Sequence, residues 1–173
     1  MSKDNNNELL TSLINNPIVK KKIINSSDRI RKVFDVQFSG YDLVAEDILN
    51  ETIRVAEYSG IVSVQKINFY TYCEHHFTPF FGQADVYYEP NEIITGLGKI
   101  VRLVHDLHAR KLQIQEIMTQ DIAKDIMRVL GAKGCFVRTS AKHLCVCSRG
   151  PSDDTSITSV VYGLGSLKNY LPI

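Results

Sequence analysis

The sequence predicts an α+β domain in which helices cover one face of an antiparallel sheet. The first observation is the order of segments between residues 61 and 163, which reads strand, strand, helix, helix, strand, strand. Neighbouring strands in this order pair antiparallel, and the helices between them bury one face of the sheet. The second observation is that residues 1–60 carry helical patterns. We therefore expect an N-terminal helical region (residues 1–60) followed by the α+β domain (residues 61–173).

Three helices are predicted in the N-terminal region. Apolar residues between positions 9 and 14 predict a short amphipathic helix before Pro17. The cluster Ser26-Ser27-Asp28 is a good N-cap for a second helix, which Gly40 is expected to end. Residues 42–57 predict a third helix.

The period of the apolar residues changes after residue 61, where alternation replaces helical spacing. A small open sheet has two bare edges, and proteins cover such edges or pair them across subunits, so we expect an oligomer. The predicted elements are strands at 62–69 and 83–89, a helix from near Lys99, a longer helix ended by Gly131, and two or three strands among residues 135–141, 142–148 and 156–163.

Composition and charge exclude several classes of function. The net charge of +1 gives no reason to expect nucleic acid as a partner. No apolar run reaches the ~20 residues of a membrane span. Residues 1–7 lack the apolar core of a secretory signal, so the cytoplasm is the expected compartment. Its reducing conditions favour four free thiols over disulfides.

Cysteine and histidine are scarce but clustered. There are four cysteines and five histidines in 173 residues, and six of these nine lie in two short segments, 72–77 and 143–147. Cys73 and His76 have Cys-x-x-His spacing, so both can reach one metal from a tight turn, and a distant cysteine can supply a third ligand. Thiolate and imidazole together suit Zn²⁺ better than Mg²⁺ or Ca²⁺.

The residues alone leave open which cysteine binds. If residues 142–148 form a strand, then His143, Cys145 and Cys147 share one face. Binding by both cysteines would close a four-ligand structural site, whereas binding by one would leave a position for water, which is the catalytic pattern. The surplus polar groups Glu74, His75 and His143 favour the catalytic pattern, because zinc chemistry benefits from proton carriers that titrate near neutrality.

Basic, amide and acidic side chains offer candidate contacts for phosphate and for a purine edge, although each could be an ordinary surface residue. Lys99 and Arg102 share a face near a helix start, which suits phosphate, and Arg149 and Arg29 could add to such a site. Each of these taken singly is more typical of a solvated surface charge. The carboxylate of Glu116 beside the amide of Gln115 matches the N–H donors of a guanine edge.

These motifs resemble the GTP cyclohydrolase I family, the zinc enzymes that open the imidazole ring of GTP. The resemblance covers residues 61–163 and is looser from residue 26 to residue 60. It implies the tunnelling fold, a homodecamer of two pentamers with sites at subunit junctions, GTP as substrate, and 7,8-dihydroneopterin triphosphate and formate as products. The motifs that carry it are Cys73-Glu74-His75-His76, Gly96-Leu97-Gly98-Lys99 with Arg102, Gln113-Ile114-Gln115-Glu116, and His143-Leu144-Cys145 with Arg149-Gly150.

The resemblance also implies residue roles. By motif, Cys73, His76 and Cys145 are the zinc ligands, and Cys147 falls outside this triad. His75 and His143 form the proton-transfer pair. The expected substrate contacts are Glu116 with Gln115 for guanine, and Lys99, Arg102, Arg149 and Arg29 for the triphosphate.

The chain departs from the family pattern at two places near these motifs. The family commonly has serine where this chain has Gly98, and that serine is linked to the late ribose rearrangement. The loop after Arg149-Gly150 is about two residues shorter than usual. Two alternatives follow: a relative that acts on another purine or pterin or stops after ring opening, and a zinc-stabilised oligomerisation module that is not an enzyme.

Overall fold

The computed structural model describes residues 11–172, which form two compact units, one up to Gln37 and one from Phe38 onward. The predicted boundary at residues 60/61 stays a prediction. Within residues 11–172, no helix has the length and hydropathy needed to cross a bilayer.

The helices are α1 (Pro17–Gln37), α2 (Ala45–Ile48), α3 (Leu97–Arg102), α4 (Gln115–Leu130) and α5 (Leu144–Cys147), with a 3-10 turn at Ser39–Asp42 and a π-helical turn at Leu103–His108. The strands are β1 (Thr52–Arg54), β2 (Val62–Cys73), β3 (Pro79–Glu89), β4 (Ile93–Thr95), β5 (Leu112–Gln113), β6 (Gly134–His143) and β7 (Thr158–Gly165).

The first unit contains α1, which is continuous where a helix start was predicted at Ser26-Ser27-Asp28. The helix begins ten residues earlier because Asn16 caps it: its Oδ1 accepts the backbone N–H of Ile18 at 2.9 Å and of Val19 at 3.3 Å. Pro17 occupies the first helical position, where its missing N–H costs nothing. The prediction of a separate second helix was therefore wrong. Residues 9 and 10 of the first predicted helix lie outside the described residues.

The predicted helix at residues 42–57 is also wrong. Only the turn α2 is helical, and the chain then forms β1, which pairs antiparallel with β4 in register Thr52–Thr95, Ile53–Ile94 and Arg54–Ile93. Branched residues on both strands favour this pairing. A partner 40 residues away thus overrides the local helical pattern.

The main sheet has five strands in the order β5-β2-β3-β6-β7. All neighbours are antiparallel except β2 and β5, which are parallel. The predicted α+β class is confirmed, with the short strands β4 and β5 added to the predicted order. Gly82 permits the close approach of β3 and β6, because a Cβ there would lie 1.9 Å from the carbonyl oxygen of Ser140.

Helix α4 supplies the helical side of the core. Its buried residues recur at helical spacing, and Gly131 ends it in the left-handed conformation (φ 58°), as predicted. The helix packs on β6 and β7, and Gln115 in its first turn bonds to Thr139 of β6 and to Thr158 at the start of β7. The buried residues of α4 are Gln115, Met118, Thr119, Ile122, Ala123, Ile126 and Leu130.

An ion network ties α4 to the π-helical turn and to α2. Asp125 accepts from buried His108 Nε2 at 3.0 Å and from Arg128 at 2.7 Å. Arg128 also pairs with Glu46. Burial alone would raise the pKa of Asp125, but the hydrogen bonds from His108 and Arg128 outweigh it and hold that pKa below its ordinary value.

The predicted strand at 142–148 is wrong beyond His143. In the β3–β6 register, Phe80 lies opposite His143, and the next position on β3 is Pro79. Proline has no N–H to donate, so the carbonyl of Leu144 has no ladder donor there. The chain instead turns into α5, closed by the N–H of Ser148 donating to the carbonyl of Leu144 at 2.9 Å.

Candidate metal centre

Three side chains from three elements converge at one end of the sheet. Cys73 ends β2, His76 lies in the turn before β3, and Cys145 lies in α5. One potential ligand atom from each, the two Sγ atoms and an imidazole nitrogen, lies within 4.8 Å of the others. Among the described residues this is the only cluster of histidine, cysteine or acidic side chains with the geometry to hold a metal ion.

The turn that presents Cys73 and His76 is fixed by backbone hydrogen bonds. The N–H of Cys73 donates to the carbonyl of Thr78 at 2.8 Å, and the N–H of Phe77 donates to the carbonyl of Cys73 at 2.9 Å. Phe77 takes a left-handed conformation (φ 54°) to close the turn. Glu74 donates its N–H to the carbonyl of Gln113 at 3.0 Å, which ties the turn to β5.

Helix α5 separates Cys145 from Cys147. Successive helical residues are rotated by about 100°, so side chains two apart point to nearly opposite sides. Cys145 belongs to the three-residue cluster, and Cys147 does not. The expectation that a strand would place both on one face fails because this segment is helical.

The donor set fits zinc. Ligand atoms at the usual Zn–S and Zn–N distances in a tetrahedron lie roughly 3.3–3.8 Å apart, so a cluster within 4.8 Å needs only a small contraction. All four cysteines are free thiols, as predicted. A tetrahedral ion held by these three donors would have its fourth position open to solvent or substrate.

A cavity of about 220 Å³ opens beside the three donors. Its lining includes His75, Gln115, Glu116 and His143, so four more of the sequence-predicted site residues lie together there. The Nδ1 of His75 is 3.8 Å from the Sγ of Cys73. The site therefore collects two imidazoles and a carboxylate around the candidate metal position.

His143 is held by two contacts. Its ring stacks on Phe80 with centroids 4.3 Å apart and planes 6° apart, and its Nε2 lies 2.7 Å from Oε1 of Gln115. Burial lowers the pKa of His143, the charge of Glu116 opposes that shift, and His75 adds to it. The neutral ring is thus favoured near pH 7.

The predicted phosphate-binding residues stay a prediction, because no ligand contact tests their role. Lys99, Arg102 and Arg149 are not among the residues that line this cavity. Lys99 pairs with Glu51 at 3.1 Å and donates to Asn50 at 3.3 Å, while Arg102 and Arg149 are exposed. Arg29 is exposed on α1.

Phe80 is a site residue that the sequence reasoning missed. The second strand was predicted to begin at residue 83, so the pairing of Phe80 with His143 was not visible. The run Thr78-Pro79-Phe80-Phe81 carries the signal, since aromatic residues next to a proline favour a strand beginning there.

Comparison with known structures identifies the fold. The chain resembles the archaeosine synthase QueF-Like in its apo form, with a TM-score of 0.52 and 12% identity over 64% of this chain and 98% of that chain. At this identity the likeness shows the fold alone. Together with the five-stranded sheet and its helices, it defines a tunnelling-fold protein, as predicted.

Sequence comparisons identify the family. The family model for GTP cyclohydrolase I matches residues 3–170. GTP cyclohydrolase 1 of Campylobacter jejuni strain RM1221 is 41% identical over 87% of this chain and 79% of its own length. The Sinorhizobium fredii enzyme of that name is 43% identical over 81% of this chain and 68% of its own length. "GTP cyclohydrolase 1 1" of Pseudomonas putida is 36% identical over 94% of this chain and 86% of its own length. The chain belongs to the GTP cyclohydrolase I family of hydrolases, as the motifs predicted.

Proposed function

We propose that this protein is a zinc-dependent GTP cyclohydrolase I that hydrolyses GTP to 7,8-dihydroneopterin triphosphate and formate. The observation that carries the proposal is the cluster of Cys73, His76 and Cys145 within 4.8 Å, which adjoins a cavity lined by His75, His143 and Glu116. A closed structural site would use a fourth protein ligand. Cys147 is the nearest candidate in sequence, and its helical position argues against it.

Cys73, His76 and Cys145 would hold the zinc ion. When bound, zinc supplies Lewis-acid activation of the water that hydrolysis of the purine ring consumes. The turn 73–78 lies between β2 and β3, whereas helix α5 follows β6, so the sheet must fold before the donors come together. Zinc affinity is therefore expected to depend on the folded state.

Glu116 would anchor the guanine ring. Its side chain is exposed in the cavity at the start of α4. A carboxylate offers two acceptors for the adjacent N–H groups of guanine, and this two-point contact orients the imidazole ring of the substrate. Binding energy spent on the non-reacting side of the purine thus positions the reacting carbon.

His75 and His143 would carry protons during ring opening. Both line the cavity, and burial favours the neutral form of His143, which can accept a proton. Opening the imidazole ring protonates a ring nitrogen of the purine and removes a proton from the attacking water. Two imidazoles that line one cavity suit these two transfers.

Lys99, Arg102, Arg149 and Arg29 would bind the triphosphate in a homodecamer of two pentamers. Support comes from the family motifs that contain Lys99, Arg102 and Arg149. A basic cluster supplied across a subunit junction would complete the site. Sedimentation equilibrium measures the assembly, and a monomer that turns over GTP would contradict this part of the proposal.

The decisive experiment incubates the purified protein with GTP and measures zinc, formate and pterin. We expect about one zinc per subunit, and formate and oxidisable fluorescent pterin in equal amounts. The Cys145→Ser variant serves as the metal-site control. Formate without pterin would identify an enzyme that stops after ring opening, and neither product from the zinc-loaded protein would refute the proposed activity.

Gly98 bears on the late steps. A Cβ at Gly98 would meet nothing within 4 Å, so the fold does not require glycine there. The Gly98→Ser variant should therefore fold without strain. If the wild type gives formate but little pterin, a rise in pterin yield in this variant assigns the defect to Gly98.

A further inference from the structure

The amide of Gln115 is enclosed and committed to protein groups. Its side chain is 2% exposed, although it opens onto the cavity. Its Nε2 lies 3.2 Å from the carbonyl oxygen of Thr139, 3.0 Å from the hydroxyl of Thr139 and 3.1 Å from the carbonyl oxygen of Thr158. Its Oε1 lies 2.7 Å from Nε2 of His143.

The two carbonyl oxygens fix which way the amide points. A carbonyl can only accept a hydrogen bond, so the amide nitrogen must face Thr139 and Thr158. The flipped amide would set its oxygen against both carbonyls, which repels, and would remove the hydrogen bonds that they accept from this side chain. Oε1 therefore faces His143, and it can only accept.

The hydroxyls behind the amide agree with this orientation. Thr119 donates its hydroxyl to the backbone carbonyl of Gln115 at 2.7 Å, so its oxygen is left to accept from Thr139 at 2.7 Å. The Thr139 oxygen in turn accepts from the amide nitrogen of Gln115. Each donor in this hydrogen-bond network has an acceptor, so no donor remains that would favour the flipped orientation of the amide.

We propose that Gln115 is a positioning residue that holds His143 in the tautomer with the proton on Nε2 and the lone pair on Nδ1. Because Oε1 of Gln115 can only accept, the nitrogen that faces it carries the hydrogen. Stacking on Phe80 fixes the plane of the ring, and the bond to Gln115 fixes its rotation within that plane. The catalytic consequence rests on the proposed role of His143 in ring opening, whereas the tautomer assignment rests only on the contacts of His143 with Gln115 and Phe80.

This assignment changes the expected role of Gln115. Both hydrogens of its amide and its oxygen already have protein partners, so the side chain has no free donor for guanine. Glu116, the next residue, is exposed and available to the substrate. Proton transfer then passes through Nδ1 alone, and the Nε2–H bond to Gln115 persists whether the ring is neutral or charged.

The test compares Gln115→Met with Gln115→Glu. Methionine fills similar space but offers no strong acceptor. Glutamate keeps an oxygen that accepts from His143, and its burial beside two carbonyl oxygens favours the neutral acid, whose O–H can donate to one of them. Solid-state ¹⁵N NMR of histidine-labelled protein at mildly alkaline pH reads the tautomer, and subtraction of the His143→Ala spectrum assigns the signals. Steady-state kinetics with GTP and the zinc content are measured on the same samples.

We expect the Nε2–H form of His143 in the wild type and in Gln115→Glu, and a mixture of tautomers in Gln115→Met. In Gln115→Met, kcat should fall about tenfold or more, because part of the 10²–10⁴-fold gain from a placed acid–base group is lost. KM and zinc content should stay within about twofold. A rise in KM at unchanged kcat would overturn the proposal in favour of guanine binding by Gln115.

The wild-type spectrum shows which nitrogen of His143 carries the proton, so it tests the assignment even if both Gln115 variants fail to fold. A proton on Nδ1 of His143 would overturn the assignment outright. If the wild type shows the Nε2–H form but turns over no GTP, the proposed function fails and the positioning of His143 by Gln115 stands.

Discussion

Replacing Cys145 and Cys147 separately by serine tests the open metal site. Serine is nearly the same size as cysteine but is a poor zinc ligand, so each variant removes one sulfur with little change in packing. Because α5 turns Cys147 away from the donor cluster, Cys147→Ser should leave the metal in place. Cys145→Ser should remove one of three protein donors.

The size of the effect follows from the number of donors. Loss of a group that only orients a ligand costs about 10–100-fold in metal affinity, so loss of a ligand itself should cost more than about 100-fold. For Cys147→Ser we expect affinity within about twofold of the wild type and a change in unfolding free energy within about 0.5 kcal/mol, as for a substitution away from packed features.

The assay is a competition titration against a chelator of known zinc affinity, with metal content measured per subunit. The two variants control each other, since they lie two residues apart and carry the same chemical change. A large loss of zinc in Cys147→Ser with retention in Cys145→Ser would show that the ligands are misassigned. Equal losses in both would indicate a closed four-ligand structural site.

Three further changes probe the cavity and the fold. His143→Ala should keep zinc near one per subunit but lower turnover of GTP by about 10²-fold or more, and retained turnover would remove this residue from the mechanism. Glu116→Gln should lose one charge-assisted hydrogen bond to guanine, worth about 1.5–3 kcal/mol, and so reduce kcat/KM by roughly 10–150-fold, while Asp121→Asn on the exposed face of α4 should have no effect. The folded pKa of Asp125 is lowered, so its stabilisation is present above its unfolded pKa of about 3.9 and is lost as pH falls through the folded pKa. Urea unfolding of wild type and Asp125→Asn should therefore differ at neutral pH and converge in acid, and an unchanged difference would refute this linkage.

Much of the site could be predicted because its residues are carried by short motifs. The spacing of Cys73 and His76 sets their reach within one turn, which needs no knowledge of the rest of the fold. The long helix α4 and the strands β2, β3, β6 and β7 also follow from local apolar spacing. These elements bury one continuous face, so local preference and tertiary packing agree.

The errors fall where distant partners decide the structure. The segment 52–54 becomes a strand because β4 offers a partner 40 residues away, and the pairing of a short strand cannot be seen in local periodicity. Ser26 and Ser27 look like a helix start, but Asn16 and Pro17 supply a complete start earlier. A helix already under way continues through two serines at small cost.

The strand predicted at 142–148 shows how one such error would change the chemistry. A strand would have put Cys145 and Cys147 on one face and allowed a closed, inert site. Ladder pairing stops at His143 because the β3–β6 register places Pro79 opposite the next residue. That register is a property of the assembled sheet, so the local sequence of residues 142–148 could not reveal it. The helical turn that results places only Cys145 in the donor cluster, and under the proposed function the position left without a protein donor would take the water for hydrolysis.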